Sequence, residues 1–183
     1  MKQKKLHLLH NILFILVQWI PLSLCDLRYE NLSSLGNFTF SHICLLIWTI
    51  ITSSFIYSMT KQVLNKYNYY SYYYSLCLKL CFIVLMIGVC LPYLPLEYPI
   101  LSQWHVRFSM LSGFIYISLC YHYLYILLKT YDKKAKLFIY IFTNFIILET
   151  YLYFQYNGIS TLLELSFIFI ISCFLSYLLF IDL

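Results

Sequence analysis

YLPLEYPILSQWHVRF, residues 93–108, interrupts a chain that is otherwise almost continuously apolar. It sets Glu97, His105 and Arg107, with Pro95 and Pro99, between one hydrophobic run ending near residue 92 and another beginning near 104. Proline lacks the N–H that a helix interior needs and keeps the preceding residue out of the helical region. The two prolines therefore predict the end of one helix and a delayed start for the next, with Ser102 placed to cap it. Trp104 has the amphipathic ring that settles at a membrane–water boundary. The stretch reads as a connector between two membrane helices, and the rest of the fold follows from asking whether its flanks are spans.

Of the 183 residues, 62% are hydrophobic and only 10% charged, and the mean hydropathy is +0.79. A soluble domain of this length needs more charge than that to cover its surface. Apolar runs fall at about 7–24, 41–59, 75–92, 104–128, 136–155 and 160–181. Each is close to the roughly 20 residues that cross a hydrocarbon core of about 30 Å. Lipid cannot satisfy free backbone groups, so such runs must be helical. The expectation is an all-α integral membrane protein: a single transmembrane domain over 1–183, built as a six-transmembrane-helix bundle.

Charge orients the bundle. Lys2, Lys4 and Lys5 precede the first run, Lys61 and Lys66 follow the second, and Lys129, Lys133, Lys134 and Lys136 surround the fourth break. Lys79, one turn inside the third run, can snorkel to the same side. The other side carries only Arg28 and Arg107, so the positive-inside rule predicts an N-in/C-in arrangement in a plasma or cytoplasmic membrane, with 93–103 outside. MKQKK followed by an apolar run also has the outline of a signal peptide. Leu22-Ser23-Leu24-Cys25 has Leu24 where a lipoprotein box wants a small residue, so the run is expected to remain as the first span.

Composition discounts some conspicuous features. Ala135 is the only alanine and Arg28 and Arg107 the only arginines, while Phe, Tyr, Ile, Asn and Lys abound. That skew follows AT-rich codons, so YNYYSYYYS at 67–75 reads as codon bias plus an interfacial aromatic belt. The cysteines at 25, 44, 77, 81, 90, 120 and 173 form no CxxC pair and read as small hydrophobes, with no disulfide framework or zinc site. The net charge of +5 is explained by loop lysines, and no nucleic-acid partner is expected.

The remaining polar residues collect on the predicted outer side. His42 opens the second span, His105 and Arg107 the fourth, and Glu149 and Glu164 lie one or two turns inside the fifth and sixth. A charge within a span costs on the order of 2.5–3.5 kcal/mol on insertion scales, so such groups face protein, a partner or water. The expectation is an outward-facing polar pocket lined by His42, His105, Arg107, Glu149 and Glu164, with no catalytic residue and no metal assigned. Because His105 and Arg107 are two apart, they project to nearly opposite helix faces. The His105 face continues through Ser109, Ser112 and Tyr116 and suits a packed interior.

The function expected from these residues is binding or organising a membrane lipid or small molecule at that pocket, without a cofactor and without enzyme activity. One alternative is a b-type haem electron carrier, with His42 and His105 in an outer layer and His10 and His122 in an inner one. This looks somewhat like the six-helix di-haem cytochromes. That family takes its ligand pairs from spans two and four and spans three and five, and here spans three and five hold no histidine. A membrane hydrolase using Glu149, Glu164 and His105 is the other alternative, without an HExxH or GxSxG signature to support it. The six-span plan, with Ser33, Ser34, Leu35 and Gly36 in the loop after span one, resembles the DRAM-like group of small membrane proteins. That resemblance implies a role in membrane lipid organisation and transfers no catalytic residue.

Overall fold

The computed structural model describes residues 12–26, 30, 32–37, 39–155 and 159–180, excepting the side chains of 36, 37, 39 and 131–135. The described residues are helical, with short turns and no strand. An apolar helix α1 spans Ile12–Leu24 and a 3-10 turn Leu32–Asn37. They are followed by α2 (Thr39–Lys66), α3 (Tyr72–Cys90), α4 (Pro99–Gln155) and α5 (Thr161–Phe180). Five segments are long and apolar enough to cross a membrane: α2 from Phe40, α3, the two limbs Pro99–Thr130 and Lys136–Gln155 of α4, and α5. The all-helical class expected from composition is thus what the described residues form, with five segments that could span a membrane. Within the described residues α1 is shorter than a span, and the predicted first part of that run, 7–11, lies outside them.

Helical assignment runs unbroken through α4, yet α4 is not one rod. Along a straight helix Tyr121 and Phe142 would lie about 31 Å apart at 1.5 Å per residue. Their ring centroids are 5.0 Å apart, and Tyr121 Oη donates to Thr143 Oγ1 at 3.1 Å. The chain therefore folds back between them, and the two limbs pack antiparallel. The Lys136–Gln155 limb pairs in turn with α5: Phe138 meets Tyr177, Phe142 meets Phe174, and Glu149 meets Ser166, all in one antiparallel register.

The start of α4 differs from the expectation. The apolar pattern begins near 104, but the helix begins at Pro99, where the missing N–H would have lacked a helical partner anyway and φ is already set for a helix. Ser102 consequently lies one turn inside rather than at the cap. Its Oγ donates to Tyr98 O at 3.0 Å and accepts the Leu94 N–H at 2.9 Å, tying the connector to the helix.

Helices α3 and α4 approach closely at Gly88, where a Cβ would stand 3.1 Å from both Phe108 Cβ and Ser109 Oγ. Nearby, Cys81 Sγ donates to Ser112 O at 3.2 Å. Within α1 the helix is interrupted by a turn at Gln18. Its Nε2 donates to Phe14 O and to Thr52 Oγ1, both at 3.2 Å, and its Oε1 accepts from Trp48 Nε1 at 3.1 Å. The amide thus converts a polar intrusion in an apolar run into a staple between α1 and α2.

Successive helices alternate in direction, so the bundle has two chemically different ends. Lys61, Lys66, Lys129 and Lys136 collect at one, and the other holds Asp26, Glu30, His42, Glu97, His105, Arg107, Glu149 and Glu164. A large apolar core fills the lysine end, from Phe14 and Phe55 to Phe142 and Leu178. A smaller one, around Leu32, Leu35, Leu45, Trp48 and Val89, lies beneath the acidic end.

Candidate functional site

The acidic end is organised by the 3-10 turn, which lies against three helices. The buried His105 places Nδ1 2.9 Å from Leu91 O and Nε2 2.7 Å from Ser33 Oγ. A carbonyl oxygen only accepts, so Nδ1 carries the proton, and Nε2 accepts from the Ser33 hydroxyl. One residue earlier, the Leu32 N–H donates to Glu164 Oε2 at 2.8 Å. Thr161, fully buried, donates through both its N–H and its hydroxyl to Glu30 O, at 2.7 and 2.8 Å. Ser160 caps α5, its Oγ accepting the Leu163 N–H at 3.3 Å. The loop after α1 is therefore bonded to the start of α5 and to α4.

His42 joins this group from α2. Its Nε2 donates to Val89 O at 2.8 Å, close to the carbonyl that His105 uses, so both imidazoles bind the C-terminal end of α3. Such terminal carbonyls lack intrahelical partners and are natural acceptors.

Glu149 stands slightly apart. It lies on the same stripe of its limb as the buried Phe138 and Phe142, at a position where another apolar residue would be expected. Only 8% of its surface is exposed. Its Oε2 is 3.1 Å from Ser166 Oγ, which is also 3.0 Å from Leu163 O, and one hydroxyl proton serves one acceptor at a time. The other oxygen, Oε1, is buried without a hydrogen-bond partner among the described residues.

Arg107 is exposed and lies over the Trp104 ring, its guanidinium carbon 5.3 Å from the ring centroid. It projects away from the His105 face, as the two-residue spacing implies. The stripe His105, Ser112 and Tyr116 is buried, with Ser109 half-buried beside Gly88. The five expected site residues thus form three groups: His42, His105 and Glu164 around the 3-10 turn, Glu149 with Ser166, and Arg107 outside. Where an open pocket was expected, the 3-10 turn covers His105 and Glu164 and satisfies them.

Neither ring nitrogen of His105 is free for an axial haem bond without displacing Leu91 O or Ser33. His122 is exposed and hydrogen-bonded to Tyr74 Oη, and His10 lies outside the described residues. Among the described residues, no three His, Cys, Asp or Glu side chains converge as a metal-holding group. Sequence reasoning passed over Gln18 and Ser166, and named Ser33 only within the SSLG stretch, not as a partner of His105. A lone amide within an apolar run was a signal for Gln18. The bonds of Ser33 and Ser166 had none, because their partners are distant in sequence. No protein-family model, curated protein or solved structure matches the chain.

Proposed function

We propose that this is a multi-pass membrane protein of six spans, N-in and C-in, that binds a lipid headgroup or small polar molecule at its outer, acidic end. The observation that carries the reading is Glu149. A buried carboxyl group with one oxygen unpartnered among the described residues is costly to keep unless something else bonds to it. His105 and Glu164 at the same end are already used to hold the 3-10 turn, which leaves Glu149 with bonding capacity to spare. The six-span count rests on the alternation of helix directions, with α1 antiparallel to α2 through Gln18 and the stacked Phe14 and Phe55. The orientation rests on the lysines gathered at the opposite end. A role in binding rather than catalysis is supported by the way His105 and Glu164 are spent on structural hydrogen bonds.

Native mass spectrometry of the purified protein tests this, using the unaltered chain and Glu149→Leu. The unaltered chain is expected to retain a lipid or small molecule. Glu149→Leu should weaken its retention about 10-fold or more, the scale of a lost hydrogen bond to a charged group. Identical retained species in the two proteins, or none in either, would remove the proposal.

A further inference from the structure

A second feature lies between mid-bundle and the lysine-rich end. A groove of about 330 Å³ runs between α2 and α3, lined by Ser53, Ser54, Tyr57, Lys79, Phe82 and Ile83. That volume is at the lower bound of ordinary ligand clefts, roughly 300 Å³. Tyr57 and Phe82 meet edge to face at 5.7 Å and form its floor, while Ser54, Lys79 and Ile83 are exposed along it. Lys79 lies seven residues into α3, about 10 Å below the start of the helix at 1.5 Å per residue. It forms no ion pair or hydrogen bond with a described residue, and Ser54 forms no hydrogen bond with one either. Above the groove, Lys61 lies over the Tyr70 ring, its Nζ 5.3 Å from the centroid, and Tyr70 Oη donates to Ser75 Oγ at 3.0 Å.

We infer that this groove binds one anionic phospholipid, with its phosphate on Lys79, Lys61 and the Ser54 hydroxyl and an acyl chain against Phe82 and Ile83. An unpaired ammonium within an apolar span is costly and calls for an anion or water. Among the carboxylates whose side chains are described, Asp26, Glu30, Glu97, Glu149 and Glu164 all lie at the opposite end, so none of these supplies an anion here. The groove opens on an apolar surface that includes the exposed Ile50, Leu80, Ile83 and Ile87, where lipid is the available partner. Basic pockets between spans on the lysine-rich side suit anionic headgroups, which the adjoining leaflet supplies.

The test offers the full-length protein equal amounts of phosphatidylglycerol and phosphatidylcholine in detergent and counts retained lipid by native mass spectrometry. The unaltered protein should favour phosphatidylglycerol. Lys79→Gln should reduce that preference about fivefold, from the usual worth of one basic side chain at an anionic surface. Lys79→Arg should keep it, and Ile83→Trp, which fills the groove and leaves the lysine in place, should lower retention of the favoured lipid. Equal retention of the two lipids by the unaltered protein, or an undiminished preference in Lys79→Gln, overturns the inference. If Lys79→Gln does not fold, Ile83→Trp decides, and unchanged retention in that variant overturns it as well.

Discussion

His105 joins three stretches of chain: its own helix, the end of α3 through Leu91 O and the loop after α1 through Ser33. With Nδ1 donating and Nε2 accepting, the neutral imidazole is satisfied at both nitrogens, so each partner is worth more than an average surface hydrogen bond. Ser33→Ala removes the donor and leaves a buried acceptor unpaired, a loss of roughly 1–3 kcal/mol. Thermal unfolding in detergent is expected to show a lowered midpoint for Ser33→Ala and a near-normal one for Ser33→Thr, which keeps the hydroxyl. Glu164→Leu, which removes the acceptor of the Leu32 N–H, should destabilise the same turn. Combined with Ser33→Ala it should cost less than the two separate losses added together, because both bonds hold one element. Equal midpoints for Ser33→Ala and the unaltered protein would show that the Ser33–His105 bond does not hold the turn.

At the scale of elements, the close approach of α3 and α4 depends on Gly88. A Cβ there meets not only side-chain atoms but the Ser109 backbone nitrogen at 3.2 Å, which cannot swing aside. Gly88→Leu should therefore cost about 1–3 kcal/mol by overpacking, seen as a lowered unfolding midpoint, whereas Gly113→Ala, with open space around it, should change little. The helices themselves were legible because apolar runs of span length have one solution in lipid. Their ends were less so. Hydropathy begins at Trp104, but Pro99 suits a first helical turn, and hydropathy does not register that preference. The fold-back of α4 was legible as the lysine-flanked break between the apolar runs 104–128 and 136–155. What the break did not show is that the backbone stays helical there: residues 129–136 contain lysines and an alanine, good helix formers, and no glycine or proline to stop it. The contacts of Tyr121 with Phe142 and Thr143 establish the reversal in the structure.

For the whole molecule, the separation of charge between the two ends was legible in the sequence, and the cover over the acidic end was not. The His105 stripe follows from helical spacing, and so does the divergence of Arg107. The bonds that close the site join residues 72 and 132 positions apart, which no local pattern encodes. The two ends make orientation a measurable property. Glu97 is exposed in the connector between α3 and α4, and Tyr72 is exposed at the opposite end, where α3 begins. With the native cysteines replaced, Glu97→Cys and Tyr72→Cys can each be challenged by a membrane-impermeant maleimide on intact cells. The lysine-rich end holds Lys61, Lys66, Lys129 and Lys136, and moving such loops across the membrane is disfavoured. Glu97→Cys should therefore label on intact cells, and Tyr72→Cys only after the membrane is opened. Labelling of both from one side would contradict the spanning of α3 itself. The reversed pattern would keep the bundle but move the Glu149 site to the inner face and the Lys79 groove to the outer leaflet, where anionic lipid is scarcer.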